Sequence, residues 1–428
     1  MFAPKSVLRL FFFIVPLMVI SSIANAISFG IYESRAAAMG GVGVAAGNYE
    51  NAIFYNPALL SFHNEKEDDS RDGRFFFPIV TGQYYEEALE TADDVADLGI
   101  EDEVEAAVAA FNADPQGGAA GVSAVVADLE SALVQVGNRD YVADAFAGLY
   151  VSEPAKREGG SFYIGTRIIG GGRAEVTDED FAILNDYQAL MGIIGGGGTP
   201  GPEFDYLIDA DGNLIDPTDG ITSRYDIGAV AITEVGLALS KEFPVYGVDV
   251  AFGITPKARR IDVYREARRA TDTDIDFDEN AKAYYSANVD LGVAVELWDH
   301  YRIGLAVKDL VPESYSSEEN SPDVVLEPRS RLGLAYANDW ISFGVDVDLV
   351  ENTSVAGETA TQEWGAGLEW NPFGTVDIRL GYKQDMLGER SDVMSGGFAW
   401  SLSFFAMEAA YMTSDEMEGG AIQLGIAF

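Results

Sequence analysis

Two histidines, His63 and His300, are the only imidazoles in the chain, and cysteine is absent. Neither histidine stands in a nucleophile or metal pattern, and without a thiolate there is no Cys-based metal site or disulfide frame. The sequence therefore carries no catalytic residues and asks for no cofactor. Asp209, Asp211, Asn213 and Asp216 space oxygen ligands like the front of a calcium loop, which suits a hard cation. Leu214 occupies the position of the sharp-turn glycine and Gly220 that of the bidentate Glu. An Asx/Gly turn at a hairpin tip is the plainer reading, with calcium the weaker alternative. Thr271–Asn280 (TDTDIDFDEN) is rich in carboxylates and reads as a solvated loop.

A third set of charges is more regular. Asp346, Asp348, Glu363, Glu369, Asp377, Arg379 and Lys383 each alternate with apolar neighbours in the last hundred residues. In WISFGVDVDLV, Ile341, Phe343, Val345, Val347 and Leu349 share one face and Ser342, Gly344, Asp346 and Asp348 the other. Strict alternation is the pattern of a strand with one oily and one wet face. Charges in hydrocarbon cost several kcal/mol each, so they belong to a wet interior. There they either brace a plug through ion pairs or line a polar path.

What must position them follows from length, charge and address. The chain has 428 residues, 48% of them hydrophobic, with 46 glycines and a net charge of −43. Lys5 and Arg9, an apolar run Leu10–Ile20 and Ala24-Asn25-Ala26 compose a secretory signal peptide over 1–26. Its removal moves the net charge from −43 to about −45, which excludes nucleic acid as a partner. Beyond it no apolar stretch approaches the roughly 20 residues of a spanning helix. A membrane protein of this composition has to be a closed barrel.

Strands are expected near 74–82, 143–151, 161–169, 226–240, 245–256, 283–298, 301–309, 329–338, 340–350, 362–370, 376–384, 394–404, 405–413 and 419–428. That is fourteen, an even number, as bacterial barrels favour. Links at Phe243-Pro244, Asp299-His300, Asn338-Asp339 and Asn371–Thr375 are short. Those at 83–142, 170–225, 257–282, 310–328, 351–361 and 385–393 are long. Within 83–142, Glu86–Phe111 and Val122–Val136 change to helical spacing around a break at Asp114–Gly118, an inserted acidic helical hairpin. Trp340, Trp364, Trp370, Tyr382 and Tyr411 near strand ends suit interfacial girdles. The expected fold is an all-β transmembrane antiparallel barrel, residues 74–428, with an N-terminal plug over 27–73.

Two motifs in Ser28–Phe62 carry a resemblance. Arg35-Ala36-Ala37-Ala38-Met39-Gly40-Gly41 and Tyr55-Asn56-Pro57-Ala58-Leu59 match the R-x-x-A-M-G-G and Y-N-P-A-L patterns of the branch of FadL-like outer-membrane proteins labelled conjugal transfer protein TraF-like. Arg35, Met39, Gly40, Gly41, Tyr55, Asn56, Pro57 and Ala58 are thus the expected plug residues. Small residues let the backbone pack closely on a barrel wall and Pro57 fixes a turn. Gly41-x-Gly43-x-x-Ala46 also mimics a dinucleotide fingerprint, but no βαβ unit surrounds it. Fatty-acid transporters of this superfamily usually read N-P-A-G, where this chain has Leu59. The C-terminal Leu424, Ile426 and Phe428 resemble the signal read by the barrel-assembly machinery.

The resemblance implies the outer membrane of a Gram-negative bacterium, with lipid and that machinery as partners. It implies either a passive channel for small hydrophobic molecules, opened by a shift of the plug, or a conjugal-transfer or secretion-associated component that does not transport. An apolar groove in the lumen would favour the first. A plug sealed by ion pairs would favour the second.

Overall fold

The computed structural model of the protein describes residues 27–62, 73–85, 100–137, 139–155, 157–245, 248–269, 281–317, 323–353 and 355–428. The signal peptide, His63, the expected helical stretch 86–99 and the acidic stretch 271–280 lie outside the described residues.

Fourteen antiparallel strands close into one barrel. The first six are β1 (Arg74–Tyr85), β2 (Asp140–Ala155), β3 (Glu158–Glu175), β4 (Arg224–Val245), β5 (Val248–Arg269) and β6 (Lys282–Leu297). After β7 (Tyr301–Lys308), a small hairpin of β8 (Glu313–Tyr315) and β9 (Val324–Leu326) stands outside the barrel sheet. The wall resumes with β10 (Arg329–Ala337), β11 (Ile341–Asp348), β12 (Glu363–Trp370), β13 (Val376–Asp385), β14 (Val393–Ser401), β15 (Phe405–Thr413) and β16 (Met417–Ala427). β1 pairs with both β2 and β16, so no edge is left open.

The alternation in the sequence becomes an inside and an outside. On β11, Ile341 and Phe343 face outward while Asp346 and Asp348 are buried. Leu334, Leu380, Met394 and Ile422 are exposed on the same outer surface, as a lipid-facing band requires. Trp298, Trp340, Trp370, Phe373, Trp400 and Phe404 are exposed at the end with the short turns, an interfacial aromatic belt. Ile426 and Phe428 are also exposed, and the Phe428 N–H donates to Gly73 O (3.1 Å).

Three links differ from expectation. Phe243 and Pro244 are not the turn but the last rungs of β4, where Pro244 pairs with Asp249. Residues 257–269, expected in a loop, continue β5, and β3 runs through Gly170-Gly171-Gly172 to Glu175. In the last two the cause is the same: inward-facing Lys257, Arg259 and Gly171 interrupt the apolar alternation that marks a strand. β4 and β5 thus reach 22 residues each, against 8 for β11 and β12. At about 3.3 Å per residue one side of the wall rises far above the other, at the end with the long connections.

That end carries a helical cap. α-Helices Ile100–Ala113 and Pro115–Val136 form the expected hairpin between β1 and β2. The break is a single residue: Asp114 caps the second helix at Gly117 N–H (3.2 Å), and Pro115 occupies its first position, where a missing N–H costs nothing. A third helix, Asp178–Gly195, lies in the connection read as a plain loop. Its signals were Thr177 as N-cap and three carboxylates in the first turn. Val108, Phe111, Val126, Leu129, Leu184, Leu190 and Met191 make a separate core for the three helices. Residues 100–137 hold seven acidic side chains and 176–223 hold ten, with no Lys, Arg or His in either.

Asp180 ties this cap to the barrel. It accepts from the N–H (2.8 Å) and hydroxyl (2.8 Å) of Thr222, the N–H of Ser223 (2.7 Å) and the Ser223 hydroxyl. Burial pushes its carboxyl up, but these donors outweigh that and hold it below the usual aspartate value of 3.8. A depressed carboxyl contributes stability above the unfolded pKa and loses it as pH falls through the folded one. Asp180→Asn is therefore expected to cost about 2 kcal/mol at neutral pH in circular-dichroism unfolding. The difference from the parent should begin to shrink as pH drops below the unfolded value near 3.8 and be lost once pH is below the folded one; a difference unchanged down to acid pH would refute this role.

Candidate functional site

Residues 27–62 fill the lumen. They contain two short helices, Ser34–Ala38 and Ala52–Tyr55, and a 3-10 turn at Pro57–Ser61. Every residue from Tyr32 to Gly47 is buried. Short helices have unsatisfied N–H groups at their start, and here they are met inside the plug. Glu33 accepts from Arg35 N–H (2.6 Å), Ala36 N–H (2.8 Å) and Asn51 Nδ2 (3.0 Å). Asn56 accepts from Ala58 N–H (3.1 Å) and donates to Val44 O (2.8 Å) and to Val293 O on β6 (3.2 Å).

Three charged clusters join plug to wall. In the first, Arg35 donates two bonds to Glu369 (2.8 and 3.1 Å). Arg379 pairs with the same Glu369 (2.7 Å), with Asp377 (3.5 Å) and with Glu408. In the second, Arg331 pairs with Asp348 (2.5 Å) and Glu363 (3.6 Å), and Lys383 reaches Glu363 at 2.8 Å. Asp346 accepts from the N–H groups of Gly43 (2.7 Å) and Val44 (2.8 Å) in the plug. The structure thus brings Arg35 and all seven sequence-derived lumen charges into contact with a partner.

The third cluster was not read from the sequence. Arg167 binds Asp144 through two bonds (2.9 and 2.7 Å) and also Ser28 O (3.0 Å) and Ser28 Oγ (2.7 Å). Arg329 donates to Ser28 O (2.7 Å) and pairs with Asp309. Asp309 is shared with Lys257 (2.7 Å) and Arg259 (2.8 Å). Arg329 and Arg331 alternate with outward Leu332 and Leu334, so their direction was available. Lys257 and Arg259 were hidden by the misplaced end of β5. Lys308 donates to Phe54 O (3.0 Å) and lies over the Tyr32 ring at 4.0 Å, a cation–π contact.

Where the charges stop, the wall is bare. A Cβ on Gly381 would come within 2.1 Å of Gly40 N, on Gly365 within 2.2 Å of Gly40 O, and on Gly253 within 2.3 Å of Ala58 N. On Gly304 it would reach Val44 O at 2.3 Å, and on Gly292 the Asn56 side chain at 2.1 Å. Cross-strand pairing sets Gly253 opposite Gly292, Gly304 opposite Gly333, and Gly367 opposite both Gly344 and Gly381. The motif residues Met39, Gly40, Asn56, Pro57 and Ala58 press on this band, with Gly40 at φ +68° and Gly41 at +80°. Tyr55 instead stays within the plug, its hydroxyl accepting from Tyr32 N–H (3.0 Å). A cavity of about 50 Å³ is lined by Ser28, Gly30 and Ile31 of the plug and by Tyr85, Lys383 and Arg390 among others.

Of the calcium candidates, Asp209 spends its carboxylate on the N–H groups of Asp211 (2.9 Å) and Asn213 (2.8 Å), and Asp216 caps Thr218 (2.8 Å). Among the described residues no group of three acidic or histidine side chains is placed to hold a metal. His300 sits in the β6–β7 turn with Nδ1 at 3.1 Å from Ala337 O.

A closed fourteen-strand barrel with an apolar outer band, a charged interior and a plug defines the class: a membrane-spanning β-barrel. The chain belongs to the family described as F plasmid transfer operon, TraF, protein, whose model matches residues 53–348. No curated protein matches it. Among solved structures it is similar to the Pseudomonas putida toluene transporter TodX, at 9% identity over 95% of this chain and 98% of that one, TM-score 0.40. A Pseudomonas aeruginosa FadL homologue is 10% identical over 95% and 99%, TM-score 0.46.

Arg379→Ala would strand Asp377 and Glu408 and leave Glu369 to Arg35 alone, and is expected to cost about 3–5 kcal/mol in thermal or denaturant unfolding. Gly381→Ala, aimed at plug backbone, should destabilise by at least about 1–3 kcal/mol. Gly396→Ala, whose nearest neighbour would be 3.6 Å away, should be neutral. Equal effects of the two glycine substitutions would refute the close fit.

Proposed function

We propose that this protein is an outer-membrane barrel that is closed at rest and serves as a component of a conjugal-transfer or secretion apparatus, with its helical cap as the presented domain. One observation carries this reading: plug backbone lies directly on wall glycines and is joined to the wall by the buried Arg35–Glu369 ion pair and by hydrogen bonds from its backbone to buried wall charges. The cavity of about 50 Å³ beside the plug is far below the roughly 300 Å³ at which ligand pockets begin. The family's description as a transfer-operon protein agrees with such a role. No step of it calls for catalysis or a cofactor.

A second reading is a gated passive channel for small hydrophobic molecules, favoured by a local break in the wall. β1 shifts register against both β2 and β16 between Phe76 and Ile79, and Phe77 stands out at 59% exposure. Pro78 supplies no N–H to the ladder there.

The deciding experiment is solute flux through the purified full chain in liposomes, with a fatty acid, a small aromatic and a sugar. The expected result is background flux for all three. Selective entry of the apolar solutes would overturn the closed-barrel reading and establish the channel.

A further inference from the structure

The connection between β11 and β12 does not stay on its own rim. In the closed strand order, β11 and β12 lie diametrically opposite β2 and β3. Residues 355–361 nevertheless contact β2, β3 and β4. Thr359 N–H donates to Asp140 on β2 (2.7 Å), and Arg173 on β3 donates to Thr359 Oγ1 (2.8 Å) while pairing with Asp140 (2.7 Å). The segment therefore spans the full width of the mouth at the end that bears the long connections.

Its landing place is shaped for it. Gly171 on β3 and Gly228 on β4 are directly paired. A Cβ on Gly228 would sit 2.9 Å from Ala356 Cβ, and one on Gly171 would overlap Glu358 Oε1 at 1.4 Å. Two adjacent strands thus omit side chains where the segment rests. Gly357 takes φ +79°, which lets the chain turn there without strain. Val355 and Ala356 are buried. Val355 belongs to a cluster with Ile27, Val230 and Ile261, so it covers the top of the lumen.

We propose that residues 355–361 are an outer strap, a second closure of the lumen independent of the plug and released before it. The plug is held by the buried Arg35–Glu369 ion pair, by hydrogen bonds to buried wall charges and by glycines on many strands. The contacts of the strap with the far wall include two hydrogen bonds, the Val355 apolar contact and a two-glycine socket. Opening at the strap exposes the Val355–Val230 cluster while the plug stays seated. This holds whether the protein transports or only docks a partner.

The chain has no cysteine, so a single introduced thiol reports one place. Val230→Cys lies beneath the strap and Ala36→Cys within the plug, both at sites that are 0% exposed. Labelling of the full chain in liposomes with a charged, membrane-impermeant thiol reagent is followed in each. Slow labelling at both sites is expected with the strap intact. Gly228→Val, which fills the socket, and separately Ala356→Asp, which places a charge in the apolar contact, should speed labelling of Val230→Cys at least tenfold and leave Ala36→Cys protected. Fast labelling of Val230→Cys with the strap intact would overturn the proposal. So would unchanged protection in both strap variants, or equal acceleration at Ala36→Cys, which would mean that the barrel opens as a whole.

Discussion

The constraint on which the structure depends is steric: two backbones lie against each other inside a barrel too narrow for side chains between them. Fourteen strands enclose a lumen, and a segment of about 35 residues has to pass along its wall. Only glycine permits that approach, and it is placed on neighbouring strands at one level. The price is a wall weakened in β-propensity along that band. What offsets it is the plug, which supplies the missing interior surface. Plug and barrel are therefore one folding unit, with the aromatic cluster of Phe54, Tyr32, Phe146 and Tyr150 as its apolar centre.

The charged layers follow from the same geometry. A plug backbone without enough helix or sheet of its own leaves polar groups to satisfy, and the wall answers with carboxylates and guanidinium groups at the matching levels. Asp346 takes two plug amides and Arg167 takes the Ser28 carbonyl. Each of these wall charges is then paired on the wall itself or by the plug, as low-dielectric surroundings demand.

Much of this was legible in the sequence, and the limits are physical. Alternation located all fourteen barrel strands, and the direction of Asp346, Glu369 and Arg379 came with it. It failed where alternation carries no hydrophobic contrast. Lys257 and Arg259 on β5 and Gly171 within the glycine triplet on β3 face the lumen, so neither stretch looks like a strand. The helix at Asp178–Gly195 had clear cap residues, yet it lay between strands where a loop was the simpler expectation. The glycine band was visible only as composition, because its meaning depends on cross-strand register that no single strand reveals. Motif residues such as Asn56 were evident as a turn, but their partner Val293 is 237 positions away.

The one-sided charge of the cap has a consequence of another kind. Over 100–137 and 176–223 the chain offers no Lys or Arg, so a protease that cuts after basic residues finds no bond to cleave in either stretch of the helical cap. Digestion by such an enzyme from outside would leave the three-helix domain whole, attached to the barrel through β1, β2, β3 and β4.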